Sequence, residues 1–133
     1  MHSAADARLH HEEVLWLTTV DDEGQPQSSP VWFHWDGADA LVLSRPDAPK
    51  VANVDRHPAV SLHLNGGEAG TLVVSVEATA HVGPSLTAAR RAAYAAKYRA
   101  GFVRLGTDAS SYFDEFSAAL VARPSRVRCF ETE

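Results

Sequence analysis

Segments in which apolar and polar residues alternate occupy much of the chain. The alternation has period two over 59–64 and, less strictly, over 14–20, which is typical of half-buried strands. A run rich in β-branched residues over 71–82 predicts a longer strand. We predict strands, separated by turns rich in Gly, Pro and Asp, at 14–20, 27–35, 41–44, 59–64, 71–82, 118–122 and 126–130.

Helical signals replace the alternation elsewhere. Ser3 is a suitable N-cap, and a helix that precedes Pro58 must end early because a residue before proline avoids the helical region. An alanine-rich segment has Ser85 as its predicted cap and Gly101 as the residue after its end. Asp108 opens a last helical segment. The predicted helices are 3–13, 50–56, 86–100 and 108–116.

Many short strands and few helices predict a mainly β protein, an open or split antiparallel barrel, formed by one domain over 1–133. The helices are too few to cover both faces of a parallel sheet. A barrel this small leaves edges and apolar patches exposed. We therefore expect a homodimer, with 86–100 and 71–82 as candidate interface segments and a cleft between the subunits.

The bulk composition narrows the function classes. A hydrophobic fraction of 45% is ordinary for a globular protein, and a net charge of −5 argues against non-specific nucleic-acid binding. No apolar run approaches the roughly 20 residues of a membrane span. The first residues are polar, unlike a signal peptide. A single cysteine, Cys129, excludes a disulfide framework, so we expect a soluble, cytoplasmic protein.

A basic, proline-rich loop over 45–50 carries the clearest candidate chemistry. Lys50 lies in the first turn of the predicted helix 50–56, where free amide N–H groups and the helix dipole favour an anion. Ser44 adds a hydroxyl and Arg45 a second cation. The spacing indicates a phosphate clamp, although a hairpin loop with two surface cations would have the same sequence.

A hairpin across Asp36 and Gly37 would place this loop beside an apolar strand. Antiparallel pairing with a short turn predicts Ser44 opposite Ser29, Pro30 or Val31. Proline inside a strand removes one donor of the ladder, which suits an edge or a backbone that faces a ligand. A flat apolar wall beside a cationic loop would suit a planar ring that carries a phosphate.

Other motifs point to no further chemistry. The seven histidines include the adjacent pair His10 and His11, which point apart on a helix, so we expect no metal site. The sequence has no Gly-x-Ser-x-Gly, no Gly-x-Gly-x-x-Gly and no P-loop. Tyr94 and Tyr98 share one helix face, an arrangement that favours packing.

Taken together, these segments resemble the pyridoxamine-phosphate-oxidase-like flavin and deazaflavin proteins over nearly the whole chain. Within that group the sequence is most similar to the branch described as deazaflavin (coenzyme F-420) dependent oxidoreductases. The segments that carry the resemblance, by their order and spacing, lie at 17–26, 29–33, 44–54, 57–62, 76–80 and 116–128.

The resemblance implies an FMN-binding split barrel, homodimeric, with two cofactor sites at the subunit interface. The isoalloxazine-like ring would lie along Ser29, Pro30, Val31 and Trp32, and the phosphate would meet Ser44, Arg45 and Lys50, with Val51 beside them. Two features depart from the family. Ala78 stands where glycine is common, and 72–77 lacks the arginines with which pyridoxamine-phosphate oxidases hold their substrate, which argues against pyridoxal-phosphate synthesis.

The expected activity is hydride transfer from reduced F-420 to a flat conjugated acceptor such as a quinone, an enone or a tetrapyrrole. The cofactor performs the reaction, so no catalytic nucleophile is predicted. Solvent, His34 or Tyr98 would supply a proton, and Arg45, Arg56, Lys97 and Arg99 are candidate partners for an acidic cofactor tail. The alternatives are an FMN-dependent oxidase or reductase, a protein that binds a flavin-like or haem-like ligand without turnover, and an interaction module whose clamp stays empty.

Overall fold

The computed structural model describes residues 3–67, 69–83 and 86–131. Its centre is one antiparallel sheet of seven strands, in the order β2-β1-β5-β6-β7-β4-β3. The strands are β1 Val14–Val20, β2 Pro26–Trp32, β3 His34–Trp35, β4 Ala40–Ser44, β5 Ala59–His63, β6 Leu72–Gly83 and β7 Ala118–Glu131.

The sheet curls because its two edge strands, β2 and β3, are separated in the chain by Phe33 alone. A flat sheet of seven strands would hold its edges far apart, since neighbouring strands are spaced by about 4.8 Å. The two edges therefore meet at Phe33 without pairing there, which leaves a barrel that is split at this seam. The fold class is the mainly β split barrel that the sequence predicted.

The barrel interior is aliphatic. Inward positions alternate along each strand, so that Leu15 and Leu17 of β1 lie with Val31 of β2 and Leu62 of β5 in one buried cluster. Two helices close this interior: α1 (Ser3–His11) contributes Ala5 and Leu9, and α2 (Pro49–Arg56) contributes Val54.

A second core, largely aromatic, lies outside the barrel. The helices α3 (Ala88–Lys97), α4 (Arg99–Leu105) and α5 (Ala109–Glu115) form a layer over β4 and β7. The residues buried beneath this layer are Leu41, Leu43, Tyr94, Tyr98, Phe102, Tyr112, Phe113 and Ala119. Tyr94 and Tyr98 pack with ring centroids 4.9 Å apart, which confirms the predicted packing role of the pair.

The predicted strand 27–35 is wrong as a single element. It breaks at Phe33, so β2 pairs with β1 while β3 pairs with β4. The ladder between β3 and β4 stops at the pair His34 and Leu41, and Ser44 pairs with Ala118 of β7. The predicted hydrogen-bonded ladder between Ser44 and Ser29, Pro30 or Val31 therefore does not form, although β2 and β4 are in contact and the register of His34 with Leu41 extends to Val31 opposite Ser44.

The two strands predicted at 118–122 and 126–130 are one strand, β7. A register shift between Glu77 and Ala78 of β6 leaves Ser125 as an extra residue on β7. The bulge lets the strand continue past Pro124, which has no N–H to give to the ladder. The Ser125 hydroxyl donates to the Glu77 carbonyl at 3.1 Å.

The predicted helix 86–100 is also two elements. Ser85 lies outside the described residues, and the cap of α3 is Thr87, whose hydroxyl accepts from the Arg90 N–H. Gly101 does not end a helix but lies inside α4, where a Cβ would come within 2.8 Å of the Trp32 ring. The residue that ends α4 is Gly106, with a left-handed φ of 68°. Asp108 caps α5 as predicted, accepting from the Ser111 N–H at 2.8 Å.

Candidate functional site

A polar cleft lies at one end of the barrel, between the β1–β2 hairpin and the first turn of α2. Its volume is about 190 Å³, and its lining residues are Thr19, Gln27, Ser28, Ser29, Pro49 and Lys50. The cleft thus brings together two residues predicted for a cofactor site, Ser29 and Lys50.

The start of α2 gives this cleft an electrostatic preference. Pro49 occupies the first helical turn, where a missing N–H costs nothing. Ala48 stands at the N-cap and offers no side-chain acceptor, so the helix N-terminus is open to an external one. With eight residues, α2 presents the positive end of its dipole beside the cleft.

Lys50 adds a full charge to this helix end. Its ammonium group makes no hydrogen bond or ion pair with the residues that the structure describes, and burial lowers its pKa below the ordinary value. A partly buried cation without a partner is costly unless an anion arrives. The cleft therefore favours an anionic group such as a phosphate.

Sequence reasoning missed three hydrogen-bonded polar side chains at the cleft: Thr19 and Gln27 line it, and Asn53 is bonded to both. Asn53 of α2 donates through Nδ2 to Thr19 Oγ1 and to Gln27 Oε1, both at 3.0 Å. Thr19 is only 2% exposed. A signal for it existed, because Thr19 occupies an inward position of β1 where the alternation calls for an apolar residue.

The side chains of Ser44 and Arg45 do not line the Lys50 cleft and bind other groups. Ser44 is buried, and its hydroxyl donates to the Arg45 carbonyl at 3.0 Å. The Arg45 guanidinium forms a 2.6 Å ion pair with Glu115 and lies 5.4 Å above the Phe116 ring. The structure of one chain thus does not assemble Ser44, Arg45 and Lys50 in one cleft, and their joint role in holding a phosphate stays a prediction.

Along β2, the side chains of the predicted ring wall have separate surroundings. Val31 points into the barrel, and Pro30 is exposed. The Trp32 indole is stacked on Tyr98, with ring centroids 4.5 Å apart and planes 5° from parallel, and on Tyr112 at 5.3 Å. The surface that β2 offers to a planar ring consists of its backbone, Ser29 and Pro30.

Val51 lines a second depression on the other side of the same loop. This depression has a volume of about 420 Å³ and is lined by Pro46, Asp47, Ala48, Pro49, Val51, Ala52, Asp55 and Val82. Its charged side chains are the two aspartates, so it does not share the preference of the Lys50 cleft for an anion.

Tyr98, one of the two predicted proton donors, has a structural role at the barrel seam. Its hydroxyl accepts from the Phe33 N–H at 2.8 Å and lies 2.6 Å from the Glu13 carbonyl and 2.8 Å from the Phe33 carbonyl. Burial raises the pKa of Tyr98, which further opposes loss of its proton.

His34, the other predicted donor, accepts at Nδ1 from Arg90 Nε at 3.2 Å. Burial, together with the positive charges of Arg90 and Lys97, lowers the pKa of His34 and favours the neutral ring. Neither His34 nor Tyr98 lines the Lys50 cleft. Solvent is the remaining predicted source of a proton.

Two features are absent from the residues that the structure describes. No three His, Cys, Asp or Glu side chains among them converge with the geometry of a metal site. Similarly, none of their helices combines the length and the hydropathy that crossing a bilayer requires.

The curled antiparallel barrel and its anion-attracting cleft define a class, the split β-barrels. The particular family follows from the sequence: the family model described as pyridoxamine 5'-phosphate oxidase matches residues 1–128. The chain belongs to this family. A comparison with curated protein sequences finds no significant match.

Solved structures agree on the fold. An F-420 reductase is similar, with a TM-score of 0.70 at 19% identity over 96% of this chain and 98% of that one. A haem storage protein of Vibrio cholerae, HutZ, has a TM-score of 0.63 at 18% identity over 96% and 94%. A haem-binding protein of Mycobacterium smegmatis has a TM-score of 0.67 at 24% identity, over 96% of this chain but 54% of that one.

Proposed function

We propose that the protein is an oxidoreductase that transfers a hydride from reduced coenzyme F-420 to a flat conjugated acceptor such as a quinone, an enone or a tetrapyrrole. The observation that carries the proposal is Lys50, which has no partner among the described residues and lies at the open N-terminus of α2 in a polar cleft. The family supports a flavin-type cofactor, and the similar F-420 reductase supports the deazaflavin.

The cleft residues fit the phosphate of such a cofactor. Lys50 and the first N–H groups of α2 would hold the phosphate, and Ser29 would add a hydroxyl. The ring would then lie along the exposed edge of β2, over Ser29 and Pro30. When bound, the cofactor supplies the hydride chemistry, while the protein binds it, orients it and excludes water.

We also propose that the active form is a homodimer. The cleft of one chain measures about 190 Å³, which is less than the roughly 300–1,000 Å³ of a typical small-molecule site. A second copy would supply the missing wall over the ring. Dimerisation would also bring cations to the cofactor tail, a task for which Arg45 and Lys97 are poorly placed in one chain because each is held by another group.

FMN is the nearest alternative cofactor because it has a planar ring of the same shape and a phosphate group. Pyridoxal-phosphate synthesis has less support, since Glu77 is the single charged residue in the strand segment 72–77. The similar haem proteins suggest a haem-type ligand. However, the residues that line the Lys50 cleft include no His, Cys, Met or Tyr that would coordinate iron there.

The deciding experiment is a parallel titration of the purified protein with F-420, FMN and haemin, followed by tryptophan emission. Preferred binding of F-420, followed by oxidation of the reduced cofactor by a quinone or an enone, supports the proposal. Preference for FMN would move the activity to the flavin branch. Tight binding without turnover by any acceptor would support a storage or carrier protein.

A further inference from the structure

We infer that Thr19 is a directed hydrogen-bond donor to the phosphate in the Lys50 cleft, and that a chain of side chains starting at Asp21 fixes its direction. This inference rests on the proposed function, because it concerns the same ligand. It adds a residue that the family resemblance did not provide and that sequence reasoning missed.

The chain of side chains begins at the β1–β2 turn. Asp21 Oδ1 accepts from the backbone N–H groups of Glu23 and Gln25, both at 2.9 Å, so its carboxylate is fixed in place. Its other oxygen, Oδ2, lies 3.5 Å from Gln27 Nε2. Because a carboxylate can only accept, the amide of Gln27 must turn its NH₂ group toward Asp21 and its oxygen away.

The orientation of Gln27 determines that of the next two side chains. Gln27 Oε1 faces Asn53, which must present its NH₂ group, and this group donates at 3.0 Å to both Gln27 Oε1 and Thr19 Oγ1. Thr19 Oγ1 is therefore an acceptor toward Asn53. Flipping either amide would bring oxygen against oxygen or NH₂ against NH₂.

The consequence concerns the single hydroxyl hydrogen of Thr19. It cannot point at the Asn53 NH₂ group, and it has no acceptor among the side chains and carbonyls of the described residues. Only 2% of the surface of Thr19 is exposed, yet the residue lines the cleft beside Lys50. A buried hydroxyl with an unused hydrogen favours an acceptor in the cleft.

This arrangement makes the cleft selective for a group that only accepts. Lys50 and the N-terminus of α2 also donate, so a fully ionised phosphate ester satisfies all of these groups, whereas a neutral ligand that carries its own donors does not. The ligand class is thus an ionised phosphate ester rather than a nucleoside or a free ring.

The test compares FMN with riboflavin, which has the ring but no phosphate, for the parent protein and three variants. Thr19→Val keeps the size of the side chain and removes the hydroxyl, while Thr19→Ser keeps the hydroxyl. Thr79→Val is the matched control, because Thr79 is exposed on β6. We expect Thr19→Val to raise the Kd of FMN about tenfold, the scale of one charged hydrogen bond, with little change for riboflavin. Thr19→Ser and Thr79→Val should bind FMN as the parent does.

A fourth variant tests the direction of the hydrogen bond between Asn53 and Thr19. Asn53→Asp replaces the NH₂ group with an acceptor, which would turn the Thr19 hydrogen inward and away from the ligand. Because the aspartate also repels the phosphate by its charge, Asn53→Asp is introduced into both the parent and Thr19→Val; we expect the larger loss of FMN affinity in the parent, where a hydroxyl donor remains to be lost, with circular dichroism confirming that the variants fold. An unchanged FMN affinity in Thr19→Val, or equal losses for FMN and riboflavin, would overturn the inference while leaving the proposed function intact.

If the parent protein binds neither F-420 nor FMN, the proposed function fails on its own. The donor role of Thr19 is then tested with inorganic phosphate, by ³¹P line broadening. Weaker phosphate binding by Thr19→Val than by Thr79→Val would support the donor role, and equal binding by the two variants would contradict it.

Discussion

The two lysines of the chain, Lys50 and Lys97, have opposite surroundings. Both are partly buried, and burial lowers the pKa of each. Lys97, in the helical layer, donates to the Phe33 carbonyl at 2.9 Å and lies 3.8 Å above the Phe33 ring. Lys50, at the barrel end, has no such partner among the described residues. Lys97, which has hydrogen-bond and aromatic partners, is therefore structural. Lys50, which has none among the described residues, marks the candidate site.

The largest expected effect tests whether the layer that carries Lys97 is a tightly packed support. Gly101→Val places new atoms against the Trp32 ring, where even a Cβ comes within 2.8 Å. We expect a loss of about 3 kcal/mol in the free energy of unfolding, seen as a fall in Tm of roughly 10 °C. Ala100→Val, exposed on the same helix, is the control, and an equal loss in both variants would contradict the packing argument.

Removing the side chain of Lys50 should affect cofactor binding rather than folding. We expect Lys50→Ala to weaken F-420 or FMN binding by about 1.5–3 kcal/mol, the range of a charged hydrogen bond, with Tm nearly unchanged. Arg56→Ala, at the opposite end of α2, is the control for loss of one positive charge, with FMN as the ligand because Arg56 is a candidate partner of the F-420 tail. A well-folded Lys50→Ala protein with the parental Kd would remove this lysine from the site.

Stability at alkaline pH should depend on the other lysine. Burial lowers the pKa of Lys97 to about 8 from an ordinary value of 10.5. Between these values the unfolded chain binds more protons than the folded one, so Lys97 makes stability rise with pH over this window. We expect a gain of about 1–2 kcal/mol for the parent relative to Lys97→Met, measured by urea unfolding at pH 7.5 and 10. If the free energy of unfolding changed with pH equally in the parent and in Lys97→Met, this role of Lys97 would be contradicted.

The smallest expected effect is that of Lys97 on cofactor binding. Lys97→Met should leave the Kd for F-420 or FMN within about twofold of the parental value, because Lys97 does not line the cleft. The matched measurement is the Kd of Lys50→Met under the same conditions. Equal losses in the two variants would show that the two lysines act on one ligand.

The sequence was enough to predict the fold class and the position of Lys50 at the start of a helix. Alternation over 14–20 and 59–64 identified inward residues such as Leu15, and the run from Pro49 to Lys50 indicated a helix start. These signals are local. No turn residue in the sequence indicates the break between β2 and β3 at Phe33, because the break results from closure of the sheet. Likewise, the ion pair of Arg45 with Glu115 joins residues that are far apart in the chain.

The seam at Phe33 also makes one amide informative about motion. The Phe33 N–H has no strand partner and is bonded to the Tyr98 hydroxyl of the neighbouring helical layer. Its hydrogen can therefore exchange with solvent deuterium only when the layer and the barrel separate locally. In hydrogen-exchange NMR, this single amide would report the opening of the layer, while the amides of β5 and β6 would report the unfolding of the sheet.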